Sequence, residues 1–156
     1  MKTNILALSF RKVAATAESA AYLVGELRVD GARLGEEYVL DVCRLADALS
    51  QEGEHFIFTC GCGDAGCAGI FEGVSSRISG GKVWLVGVLP KGGAFSYVLS
   101  MSQARKSVKD AILAEEPLID SCITRNDGES PMFGFEQASN LKVFMQRLHL
   151  DVEIQT

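Results

Sequence analysis

The chain reads as an α+β fold, a mixed and mostly antiparallel sheet with two or three helices packed on it. Two observations carry this. Short apolar or alternating runs follow one another between glycine pairs and an Asp-Gly step, as antiparallel strands joined by tight turns do. Between and after them, apolar residues recur at helical spacing in separate stretches. One domain, 1–156, is expected at this length, because no linker, internal repeat or low-complexity segment divides the chain.

Asn4–Phe10 is the first predicted strand, and Lys12–Ala20 a loop or short helical turn. Ala21–Val29 follows as a half-buried strand, Leu23, Leu27 and Val29 on one face and Glu26 and Arg28 on the other. Asp30-Gly31 is a two-residue turn, and Tyr38–Leu40 is read as the arm of a hairpin here. Asp41–Gln51 is a helix striped by Val42, Leu45, Ala46 and Leu49, with Asp41 as N-cap and Gly53 placed to end it. His55–Cys60 is a nearly continuous apolar run, expected as one buried strand.

Further on, Ile70–Ser79, Val83–Leu89 and Phe95–Ser100 are strands of an antiparallel meander, turned at Gly80-Gly81 and at Pro90–Ala94. Trp84 and the aromatics of 95–97 are read as core. Ser102–Glu115 is a second helix with a narrow apolar face. Ser100 and Gln103 form a capping box, Ser102 being the alternative cap, and Pro117 ends the helix. Leu118–Ile123 is a short strand, 125–131 a polar loop, and Gln137–Leu148 a last helix on Leu141, Phe144, Met145 and Leu148.

The chemistry concentrates in Thr59–Gly69, T-C-G-C-G-D-A-G-C-A-G, where Cys60, Cys62 and Cys67 stand among four glycines. Glycine reaches positive φ cheaply, so the backbone can fold tightly and bring the sulfurs to one point. A zinc site on Cys60, Cys62 and Cys67 is one reading, although C-x-C is tighter than the usual opening pair. A fourth ligand would be His55, Cys43, Asp64, Cys122 or His149. Strand alternation points His55 away from Cys60. A labile disulfide closed across Cys60-Gly61-Cys62 is a second reading, but nothing in the loop is cationic and Asp64 disfavours a thiolate. Buried packing thiols are the third. The common iron–sulfur spacings are absent.

Composition excludes other classes. Net charge is −5, which argues against a nucleic-acid partner and suits a basic protein partner. The chain has no apolar run long enough to span a membrane and no signal-peptide pattern, so a cytoplasmic protein is expected. It has no phosphate-binding loop, and its two histidines have no paired nucleophile, so an enzyme is not the expected class.

Phe56–Val74, F-I-F-T-C-G-C-G-D-A-G-C-A-G-I-F-E-G-V, followed by K-V-W-L at Lys82–Leu85, resembles a family of small bacterial cytoplasmic proteins. In that family a strand enters a C-x-C-G-x3-C-A-G loop and a later strand carries a tryptophan. The helix D-V-C-R-L-A-D-A-L at Asp41–Leu49 is similar too. The resemblance implies no particular activity. Size and acidity look like those of immunity proteins that neutralise a toxin domain, a likeness of class rather than motif. A SWIM-type zinc finger also opens with C-x-C but ends in C-x-H, whereas Gly69 follows Ala68 here. The expected function is therefore non-enzymatic protein binding, with a thiol- or zinc-dependent loop as the alternative.

Overall fold

The computed structural model describes residues 2–13, 17, 22–60, 65–115 and 117. Within them the chain is α+β, with antiparallel ladders and two helices. The expected single sheet is instead three: a three-stranded sheet, a two-stranded ladder and a four-stranded sheet. The strand and loop expected at 118–131 and the helix expected at 137–148 lie outside the described residues.

The three-stranded sheet comprises β1 (Leu6–Val13), β2 (Tyr22–Val29) and β3 (Ala32–Leu34), in that order. β1 runs on through Lys12 and Val13, where a loop or helical turn was expected. Asp30 and Gly31 turn β2 into β3 with φ of 52° and 85°. Both central residues are left-handed, as a turn matching the strand twist requires. Asp30 also ties the turn to the chain's start, accepting from Ile5 N at 2.8 Å and from Asn4 Nδ2 at 2.7 Å. Leu6, Leu8, Leu27, Val29 and Leu34 face the core, while Ala7, Ser9 and Arg11 face solvent.

Tyr38–Leu40 does not supply the hairpin arm; β3 does. Instead β4 (Val39–Leu40) pairs with β6 (Phe58–Thr59). Between them α1 (Val42–Ala48) starts at the expected cap, Arg44 N donating to Asp41 Oδ1 at 3.1 Å. The helix is shorter than predicted. Leu49 takes the C-cap, Ser50 Oγ donates to Ala46 O at 2.9 Å, and Gly53 opens the next strand rather than capping.

The His55–Cys60 run is likewise not one strand. β5 (Gly53–His55) pairs with β7 (Val74–Ser79) of the four-stranded sheet, whereas β6 pairs with β4. The chain changes sheets at Phe56 and Ile57, where Ile57 O accepts from Asp41 N at 2.8 Å. Ile57, Phe58 and Thr59 are consequently all buried, which a strand with one wet face cannot achieve.

The meander forms as predicted from β7, β8 (Lys82–Leu89) and β9 (Gly93–Ser100), although β7 begins at Val74 rather than Ile70. α2 (Met101–Ala114) leaves β9 at once, and Ser100 accepts from Gln103 N at 3.3 Å. The two larger sheets meet at one parallel bridge, Asn4 to Leu99. Asn4 N donates to Val98 O at 2.7 Å, and Val98 N donates to Asn4 Oδ1 at 2.9 Å.

Beyond that bridge, α2 serves β1's other edge. Gln103 accepts from Leu6 N at 3.3 Å and donates to Leu6 O at 3.0 Å, and Ser107 Oγ accepts from Leu8 N at 3.4 Å. A bare strand edge invites pairing with another chain, so these side chains blunt it. Ala104, Val108 and Ile112 are buried with Leu6, Leu99 and α1 in one core cluster. No helix among the described residues is long and apolar enough to cross a membrane.

Candidate functional site

β6 delivers Thr59 and Cys60 to the cysteine loop, and Thr59 Oγ1 donates to Cys60 O at 2.9 Å. Residues 61–64, with Cys62 and Asp64, lie outside the described set. The chain is described again as a tight turn at 65–69. Gly69 N donates to Gly66 O at 3.0 Å and Ile70 N to Ala65 O at 2.9 Å, with Gly69 at φ 80°. This is the pairing that ends a helical turn on a left-handed residue, and it accounts for the glycine at 69. Cys60 is half-buried and Cys67 exposed.

Of the described candidates for a fourth ligand, His55 Nε2 lies 2.8 Å from Gln51 O, back toward the end of α1. Cys43 is buried in the core. Among the described residues, no three of His, Cys, Asp and Glu are grouped to hold a metal. Cys122 and His149 lie outside them.

Beside the loop is a cavity of about 380 Å³, lined among others by Arg44, Phe56, Thr59, Ile70 and Phe71. Arg44 comes from α1, so the fold brings to the loop's cavity the cation that the loop itself lacks. No spacing in the sequence signals this. Arg44 Nε lies 3.5 Å from Asp41 Oδ2, a loose pair with the arginine side chain 54% exposed. Aromatic and aliphatic walls with one guanidinium suit a small apolar molecule bearing an anionic group.

The outward face of the four-stranded sheet is the second unusual surface. Val86 is 48% exposed and Val88 58%. Glu54, Ser75 and Val86 form one cross-strand row, and Glu72 and Val88 line the same crevice. Trp84, read from sequence as core, is only half-buried, because it alternates outward with Val86 while Val83 and Leu85 turn inward. Glu54 and Glu72 are exposed and form no ion pair among the described residues. Neither a family model, nor a curated protein, nor a solved structure matches the chain.

Proposed function

We propose that the chain is a non-enzymatic binding protein of the bacterial cytosol, of the immunity type that neutralises a protein toxin. It holds a basic protein partner on the outward face of the four-stranded sheet. The observation that carries this reading is the exposed apolar pair Val86 and Val88, with Glu54 in the cross-strand row of Val86 and Glu72 in the crevice of Val88. Apolar anchors within a charged rim are the usual make-up of a protein interface. Exposed carboxylates that form no ion pair among the described residues favour a basic partner and speed its encounter. The test is capture by cross-linking from a bacterial lysate with wild type, Val86→Lys, Glu54→Lys and a Lys91→Glu control, followed by titration of the captured protein in pure form. The reading expects one basic protein, lost with the first two variants and kept by the control. Equal capture by wild type and both patch variants would sink it.

The cavity lined by Thr59, Ala65 and Gly66 of the cysteine loop favours a second reading, a thiol- or zinc-dependent site on Cys60, Cys62 and Cys67. Arg44, across the cavity from Ala65 and Gly66 of the loop, is the cation such a site would draw on. About one zinc per chain, lost on Cys60→Ser or Cys67→Ser while the fold survives, is its expected signature. Metal-free protein with every thiol titratable would retire its zinc and disulfide forms.

A further inference from the structure

The outward face of the three-stranded sheet carries an arrangement that neither reading uses. Glu26 on β2 receives three arginines: Arg11 Nε at 3.1 Å, Arg33 Nη1 at 3.4 Å and Arg28 Nη1 at 3.5 Å. They come from three different strands. Register sets Arg28 directly opposite Arg33. Like charges directly opposite on a sheet destabilise it.

Among the described residues Glu26 is the one carboxylate paired with these three guanidiniums, and it cannot balance all of them. Stability does not account for the set, because exposed ion pairs are worth about 0–1 kcal/mol each. Nor are the donors used up. Each guanidinium carries five N–H donors, and one carboxylate with about four lone-pair sites cannot take up three sets of them. Ser9 Oγ, 3.4 Å from Arg28 Nη1, adds a hydroxyl beside the cluster. The guanidiniums are nevertheless held in place, with Arg33 only 25% and Arg28 38% exposed.

We infer that Arg11, Arg28 and Arg33, splayed around Glu26, form a binding site for a phosphate-class dianion. Guanidiniums match tetrahedral oxyanions with paired N–H donors, and prior ordering by Glu26 lowers the entropy lost on binding. A phosphate monoester carries about −1.5 to −2 charges near neutral pH, which matches the charge Glu26 leaves uncompensated. A carboxylate ligand would match only half of it.

The experiment is calorimetric titration of the whole chain with inorganic phosphate at low ionic strength, against sodium chloride at equal ionic strength. Saturable binding to phosphate is expected. It should weaken about tenfold in Arg28→Gln and in Arg33→Gln, and less in the more exposed Arg11→Gln. Arg77→Gln, on the other sheet, should bind as wild type does. None of these side chains belongs to the core, and circular dichroism checks that the variants remain folded. Phosphoserine and a nucleoside monophosphate, titrated next, separate a modified protein from a free metabolite as the source of the anion. Chloride matching phosphate, or Arg28→Gln and Arg33→Gln binding phosphate as wild type does, overturns the inference and leaves the cluster a set of structural ion pairs.

Discussion

The two larger sheets bury similar aliphatic faces and expose opposite ones. The outer face of β1–β3 presents Arg11, Glu26, Arg28 and Arg33; that of the four-stranded sheet presents Trp84, Val86 and Val88. The inner faces of both enter one core cluster. The difference therefore does not come from folding the core. On the first face charge is concentrated beyond what stability needs, and on the second apolar surface is exposed against what stability needs. Each departs from an ordinary solvated sheet in the direction that suits a ligand of different chemistry.

The largest expected effect breaks β8 into its two faces. Leu85 is 1% exposed and Val86, the next residue, 48%. Leu85→Ala should destabilise the protein by about 3 kcal/mol, because it removes buried methylenes and leaves a cavity. Val86→Thr should move stability by less than about 0.5 kcal/mol, since it alters an exposed site. Urea unfolding of the two variants measures both. Comparable losses would mean that Val86 is covered, and the proposed docking face would fall with it.

A smaller effect tests the charged face. Glu26→Gln removes the one anion among three cations, and a loss of about 1 kcal/mol is expected at low salt. Added salt should recover much of it, because partly exposed like charges are screened. The same salt series on Val86→Thr should be flat. A Glu26→Gln loss that ignores salt would assign Glu26 a packing role rather than an electrostatic one.

The turns and caps were legible because they are local. Asp30-Gly31, Gly80-Gly81, Asp41 and Ser100 act through backbone atoms within a few residues, and each stands where its chemistry predicts. Partner choice was not legible. The H-F-I-F-T-C run is apolar from Phe56 to Phe58, so nothing in it marks the switch between sheets at Phe56 and Ile57. β8 is nearly all apolar and hides its period of two, which is why Trp84 read as core. Glu26 and Arg28 could be placed on one face from β2 alone. Bringing Arg11 and Arg33 to the same carboxylate needs the register of two further strands. Arg44 reaches the cysteine loop's cavity only through the packing of α1, and no helix pattern encodes that approach.

The smallest effect concerns Asp30, at the end of the charged sheet. Its carboxyl is held below the ordinary 3.8, first by the Ile5 N–H and then by the Asn4 amide, with Lys2 helping and slight burial opposing. Both donors bond the ionised form more strongly, so the folded state binds a proton less readily than the unfolded chain does. The stabilisation is then complete above the unfolded value near 3.8 and is lost as pH falls through the lower folded value. Asp30→Asn isolates this, because asparagine also tolerates the left-handed φ of 52° that the turn demands. In acid the stability of wild type should fall toward that of Asp30→Asn, and their difference should be level at neutral pH. Other carboxylates titrate in both proteins and cancel. A difference that stays level from pH 6 through the acid range would show that the Ile5 and Asn4 bonds do not distinguish charged from neutral Asp30. The turn would then hold β1 to β2 by backbone geometry alone.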